Sequence, residues 1–179
     1  ADTVAVIGAG PTGLCTMACA RLYSPAKIIA IDTDEYRLRL AKERGLADVT
    51  LVPGKDRIQE RVLSETRGRG ADVVLEAAGG KDTFQTAWQI ARANAIVVVV
   101  AMYEENQILP LPAMYGKNLT FKTGGVDGCR CGEIMELIGA GKLDVSFLIS
   151  HRCDLSRIMD AYDMFENKKD HVMKFGITP

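Results

Sequence analysis

Residues 3–32 read TVAVIGAGPTGLCTMACARLYSPAKIIAID: a short apolar run, a glycine-rich turn, a helix-compatible stretch, a second apolar run and a terminal carboxylate. Thr3 to Ile7 is rich in β-branched residues and apolar on both faces, as a strand between two helix layers has to be. In the turn, Gly8-Ala9-Gly10-Pro11-Thr12-Gly13 has the spacing G-x-G-x-x-G. The three glycines serve different ends, namely a tight turn, close approach of backbone to a pyrophosphate, and close packing of helix on strand. A helix is predicted to open at Pro11 or Thr12, aiming unpaired N–H groups and the positive end of its dipole at the space over Gly10. Pro11 in a first-turn position gives up no intrahelical hydrogen bond.

The second strand, Lys27 to Ile31, ends in Asp32, nineteen residues beyond Gly13. An acid at that place holds the adenosine ribose in dinucleotide sites, and Thr33 adjoins it on the same rim. A carboxylate can accept hydrogen bonds from both ribose hydroxyls, whereas a 2′-phosphate would set like charges a few ångström apart. One such pair costs ~4 kcal/mol at an effective dielectric of about 20. Even with partial relief from Arg37, the sequence predicts NAD over NADP.

Composition narrows the class. The chain has 179 residues, 47% of them hydrophobic and 25% charged, with a formal net charge of −1. It fits a globular protein with a substantial core, and no Lys/Arg-dense block points to nucleic acid or an anionic membrane surface. No run approaches a transmembrane helix and the start lacks a signal-peptide pattern, so a cytoplasmic protein with a small-molecule partner is expected. The five cysteines are unevenly spaced, which suggests free thiols rather than a disulfide framework or a zinc site. Cys15 and Cys19 are expected on the face of the first helix that packs on the sheet.

Strand and helix patterns then alternate. A helix over Asp34 to Arg44 is followed by a strand over Val49 to Val52, and a helix over Arg57 to Arg67 by a strand over Ala71 to Ala77. A helix over Asp82 to Arg92 precedes Ala95 to Ala101, whose four consecutive valines read as a strand buried on both faces. The fold class is α/β, a Rossmann-type doubly wound parallel sheet with helices on both faces. Ligands of such sheets lie at the carboxyl ends of the strands where the order reverses, which puts Gly8 to Gly13, Asp32, Ala77-Ala78 and Val100 to Met102 on one rim. Glu104 to Tyr115 reads as a connection with an extended piece, Asn118 to Lys122 as a sixth strand. Two helices with apolar stripes follow, Glu133 to Ile138 and Leu155 to Phe165, read as core or interface. The boundary is expected at residue 128: a nucleotide domain over 1–128, then a helical segment and final strand over 129–179.

The stretches DTVAVIGAGPTGL, IDTDEYRLRLAKERGLAD, GADVVLEAAGG, GKLDVSFLISHR and DAYDMFENKKDHVMKFGITP together resemble the zinc-dependent medium-chain dehydrogenases, which act on alcohols, polyols and threonine. The resemblance covers nearly the whole chain, and its last two stretches are absent from generic nucleotide-binding modules. It implies that Gly8, Gly10, Pro11, Thr12 and Gly13 form the pyrophosphate turn and that Asp32, Thr33 and Arg37 hold the ribose. It places Ala78, Val100, Ala101 and Met102 near the nicotinamide, Gly125-Val126 in the loop closing over that ring, and Lys174 near the pyrophosphate.

Two departures qualify what is carried over. In the family, zinc and most of the proton relay come from an N-terminal domain, so zinc is expected only there, and roughly half of the expected enzyme lies outside these residues. The family's arginine-proline-glycine-glycine turn appears as Arg92-Ala93-Asn94-Ala95, where Asn94 tolerates a left-handed conformation less readily than glycine. The resulting expectation is the NAD-binding portion of a zinc-type alcohol or polyol dehydrogenase, inactive alone, with a homodimer formed through an edge strand at Leu109 to Tyr115. A stand-alone NAD-binding regulatory module and a zinc-free reductase of the same superfamily are the alternatives. An S-adenosylmethionine-dependent methyltransferase is disfavoured by the complete glycine motif and the tail.

Overall fold

In the computed structural model, which describes residues 1–125 and 128–179, the opening stretch forms β1 (Thr3–Ile7), α1 (Pro11–Arg21) and β2 (Lys27–Ile31). The alternation continues through α2 (Glu35–Glu43), β3 (Val49–Leu51), α3 (Ile58–Glu65), β4 (Ala71–Glu76), α4 (Thr83–Ile90), β5 (Ala91–Val99), the short α5 (Leu111–Met114) and β6 (Thr120–Thr123). All six strands pair in parallel in the order β3-β2-β1-β4-β5-β6. The chain winds outward from β1 to one edge, returns to β4 beside β1, and winds outward the other way. This is the expected doubly wound sheet, with its switch point between β1 and β4.

The faces are filled unequally. On one, Ala5, Ile7, Ile29, Ile31, Leu51, Val74 and Val97 pack with Val62 of α3 and with Ala87 and Ile90 of α4. On the other, α1 and α2 bury Leu14, Met17, Ala18, Leu38 and Ala41. Leu14 and Met17 are wholly buried, worth about 1.5–3 kcal/mol each. The β4–β5 half of this second face is not sealed: Val73, Leu75 and Val100 line a groove of about 840 Å³ together with Cys15 and Cys19. Two expectations are thereby corrected. β5 is not buried on both faces, since Ile96 is exposed and Val98 half-buried. Cys15 and Cys19 are not packed on the sheet; they are half-buried and line the groove together with Val73 and Leu75 of β4, while the packed face of α1 is Gly13, Leu14, Met17 and Ala18.

Residues 92–95 explain why β5 begins earlier than expected. Ala71 pairs with Ala91 but Val73 with Ile96, so the departure segment bulges out, with Asn94 left-handed at φ 58°. Arg92 returns to the sheet through Asp72, whose Oδ1 accepts from Arg92 Nε at 2.5 Å while Oδ2 accepts the Thr3 N–H at 2.7 Å. Burial pushes the Asp72 carboxyl up, but the Thr3 N–H and the Arg92 guanidinium outweigh it and hold it below the usual value. A depressed folded-state value means stabilisation present above the unfolded carboxyl's pKa, about 3.9, and lost as pH falls through the folded value. Asp72→Asn is expected to cost about 2–3 kcal/mol at neutral pH. The gap between the denaturant midpoints of variant and parent should begin to close below about pH 4 and disappear below the depressed folded value; a gap that stays constant with pH would refute the assignment.

Leu109 to Tyr115 is not an edge strand. Leu111–Met114 is one turn of helix and Tyr115–Lys117 a 3₁₀ turn, because Pro110 and Pro112 fix φ and Pro112 lacks a donor for a strand ladder. The sheet edges are β3 and β6. Lys117 instead caps the end of α4, donating to the carbonyls of Trp88, Gln89 and Ala91 at 2.7–3.0 Å.

The chain divides into two units, Ala1–Cys129 and Arg130–Pro179. The second holds α6 (Cys131–Gly139), β7 (Ile149–Asp154), α7 (Ile158–Glu166) and β8 (Lys174–Thr178), with β7 and β8 parallel around a small core of Leu148, Ala161, Val172 and Met173. The expected stripe on the second of its helices is not core: Leu155, Met159, Tyr162 and Phe165 are exposed. No described helix is long and apolar enough to cross a membrane.

Candidate functional site

The three glycines of the turn meet three different surroundings. Gly8 has φ 99°, donates its N–H to the Ile31 carbonyl at 2.7 Å, and leaves a Cβ only 3.0 Å from the Ala77 carbonyl. It joins the ends of β1, β2 and β4. A Cβ on Gly13 would stand 1.9 Å from the Gly8 carbonyl oxygen, so this glycine sets how closely α1 lies on β1. A Cβ on Gly10 would meet nothing nearer than Arg37 Nη1 at 3.6 Å. The space over Gly10 is therefore open, bounded by the amino end of α1 and a guanidinium. Gly10 is also the N-cap and brings no capping side chain, Pro11 follows as the first helical residue, and Thr12 is exposed at the mouth. Backbone N–H groups and a fixed positive charge converge on one opening, which suits an anion.

Asp32 stands at the end of β2. Its Oδ2 accepts the Ala9 N–H at 2.5 Å and its Oδ1 the Asp34 N–H at 2.8 Å. Each oxygen keeps a further lone pair for a ligand hydroxyl, and the two bonds fix the carboxylate beside the turn. Thr33 is exposed next to it. Asp34 caps α2 by accepting the N–H groups of Tyr36 and Arg37 and pairs with Arg37 Nε at 3.3 Å, which turns the guanidinium toward Gly10.

Across the switch point, Ala78 is exposed, Val100 and Ala101 are half-buried, and Met102 is 94% exposed at the carboxyl end of the sheet. Val100 and Ala101 donate their N–H groups to the Glu76 carbonyl. Gly8, Gly10, Pro11, Thr12, Gly13, Asp32, Thr33, Arg37, Ala78, Val100, Ala101 and Met102 thus share one rim. Gly125 lies two residues past β6, the strand next to β5, exposed and with nothing within 4 Å of a Cβ. Val126 lies outside the described residues. Lys174 opens β8 of the second unit and is exposed; the turn belongs to the first.

Two acids that sequence reasoning did not single out also shape the site. Asp34 carries the cap and orients Arg37; an Asp ahead of a helical pattern is an N-cap signal. Glu76 is wholly buried at the end of β4, with Oε1 accepting the Ala78 and Gly79 N–H groups and Oε2 without a hydrogen bond of ordinary length. Near it, burial pushes the Tyr103 hydroxyl up to about 12, and the Glu76 carboxyl adds to the rise. Its only sequence signal is an acid in an apolar strand, as for Asp72. Among the described residues no three His, Cys, Asp or Glu side chains come together to hold a metal.

The model of the family described as zinc-binding dehydrogenase matches residues 11–148. The chain belongs to the zinc-binding dehydrogenase family. An alcohol dehydrogenase of Cupriavidus necator is 34% identical over 99% of this chain and 50% of its own length. Among solved structures, alcohol dehydrogenase TADH from Thermus sp. ATN1 superposes with a TM-score of 0.92 at 31% identity, covering 99% of this chain and 51% of that one. A short chain alcohol dehydrogenase from E. coli CFT073, complexed with NADH, gives 0.90 at 26%, and a zinc-binding dehydrogenase from Sinorhizobium meliloti 1021, bound to NADP, gives 0.89 at 25%. Each covers 99% of this chain and 52% of the other. This zinc-binding dehydrogenase chain spans about half the length of the curated relatives it matches. Its glycine turn, its acid after β2 and its switch point all lie within the matched half.

Proposed function

We propose that the first unit binds NAD and that the chain is the cofactor-binding portion of a zinc-type, NAD-dependent alcohol or polyol dehydrogenase. The observation that carries this is the opening over Gly10, framed by the amino end of α1 and Arg37, with the Asp32 carboxylate fixed beside it. In this reading Gly8, Gly10, Pro11, Thr12 and Gly13 form the pyrophosphate turn, and Asp32, Thr33 and Arg37 hold the adenosine ribose. Ala78, Val100, Ala101 and Met102 lie toward the nicotinamide, with Gly125-Val126 and Lys174 as further contacts. When bound, the nicotinamide ring would accept or give up the hydride. The chain's own residues bind and orient it; hydride exchange with an alcohol belongs to the whole protein, and the 179 residues alone are expected to show no turnover with NAD, zinc and alcohols. The second unit, with its exposed Met159 and Tyr162, would pack on the remainder of the protein. A homodimer would form through the open edge of β6.

Relatives are found with either cofactor, so the choice of NAD rests on Asp32. A carboxylate held by two backbone N–H groups cannot retreat from a 2′-phosphate, and each 1.4 kcal/mol of repulsion is about tenfold in affinity. The chain should prefer NAD to NADP at least about tenfold by calorimetric titration, and Asp32→Ala should weaken NAD by about that factor and remove the preference. An unchanged preference would sink the ribose assignment.

A further inference from the structure

Glu76 ends β4 at the switch point and is wholly buried. Its backbone carbonyl accepts the N–H groups of Val100 at 2.8 Å and Ala101 at 3.1 Å, and its Oε1 accepts those of Ala78 and Gly79, each at 2.9 Å. One residue thus holds N–H groups from two loops. The loops also touch: a Cβ on Gly79, which has φ 67°, would stand 2.8 Å from the Met102 carbonyl oxygen and 3.3 Å from Ala101 Cβ.

The second carboxylate oxygen makes the residue unusual. Oε2 is buried without a hydrogen bond of ordinary length, and the Tyr103 hydroxyl interacts with the carboxyl. This incompletely satisfied state lowers stability, whereas a leucine would fill the position without that penalty. The acid therefore contributes something an apolar residue cannot. Without Oε1, the Ala78 and Gly79 N–H groups lose their acceptor and the loop loses its reason to stay against residues 101–102. The direction of the rim says which part of a ligand this affects. Asp32 stands at the end of β2 and the phosphate opening follows β1, so the far half of a dinucleotide continues over β4 and β5.

We propose that Glu76 is a positioning residue for the nicotinamide end of the site, holding residues 77–80 and 100–102 in the single geometry that receives it. The inference rests on the cofactor reading above. It makes the adenosine half of the site independent of Glu76 and the nicotinamide half dependent on it.

The test compares NADH with ADP-ribose, which has the adenosine, the pyrophosphate and the second ribose but no nicotinamide. Both are titrated against the chain and against Glu76→Leu and Glu76→Gln, NADH by its fluorescence and ADP-ribose by calorimetry. Glu76→Leu is expected to weaken NADH by about tenfold or more and ADP-ribose by less than about threefold. Glu76→Gln keeps an acceptor oxygen for Ala78 and Gly79 and should recover most of the NADH affinity. If Glu76→Leu does not fold, Glu76→Asp, whose shorter arm draws the acceptor off the loop, is expected to show the same change in ratio. Parallel loss of both ligands marks a purely structural residue and overturns the inference, as does NADH binding that no variant alters. A parent chain that binds neither ligand removes the cofactor reading and this inference with it; a parent that binds both, with an unchanged ratio in the variants, removes the inference alone.

Discussion

Gly13→Ala is expected to destabilise the first unit by about 3–5 kcal/mol, near the top of what single substitutions do. The added methyl would stand 1.9 Å from the Gly8 carbonyl oxygen and 2.7 Å from its carbonyl carbon, both backbone atoms. No side chain can swing aside to make room. Relief requires α1 to move off β1, which reopens the contacts of Leu14 and Met17, both at 0% exposure. Domains of this size are stable by only about 5–15 kcal/mol, so the variant should unfold at much lower denaturant than the parent. A loss below about 1 kcal/mol would show that the helix has slack at this point and that the close approach is not essential.

Gly10→Ala should do nearly the opposite. Gly10 has φ −67° and ψ −179°, extended backbone that alanine adopts freely, and its Cβ would meet only Arg37 Nη1 at 3.6 Å. Folding stability should stay within about 1 kcal/mol of the parent's, because the restriction alanine places on the unfolded chain offsets small losses in the folded one. The methyl would occupy the space assigned to the phosphates, however, and two or three charge-assisted hydrogen bonds would be lost. Dinucleotide affinity should fall about a hundredfold. Thermal unfolding and NADH titration of the pair separate the roles of two glycines three residues apart in one motif. If Gly10→Ala binds NADH like the parent, the phosphates do not lie over Gly10 and the assignment of the turn fails.

Much of the fold is legible in the sequence where local chemistry and period agree. Thr3–Ile7 and Lys27–Ile31 occur as strands with the expected bounds, since short β-branched runs between a glycine turn and a charged end leave little alternative. The interval from Gly13 to Asp32 accommodates one helix and one strand, which is enough to set the acid beside the turn. Asn94 adopts the left-handed conformation that asparagine tolerates less readily than glycine. The errors have physical reasons as well. Leu109 to Tyr115 has the apolar content of a strand, but two prolines in its middle remove that option. The valines of β5 suggest two covered faces, yet no local pattern states whether a helix is present over a given half of a sheet.

The amino-acid sequence by itself determined the alternation of strands and helices through the fifth strand, the glycine turn, and the acid that follows the second strand, because each depends on contacts among near neighbours along the chain. Only the tertiary structure decided which of those residues meet. It separated Gly10, which faces open space, from Gly13, which is pressed against Gly8, although the motif writes them alike. It turned Arg37 toward the opening through Asp34, and left Cys15 and Cys19 lining a groove instead of packed on the sheet. It also brought the end of β4 between two loops, giving Glu76 four N–H groups to hold. The first two outcomes depend on how β1, α1 and β2 pack on one another, and the last two on the return of the chain from β3 to β4 beside β1, and neither kind of contact is encoded by local spacing.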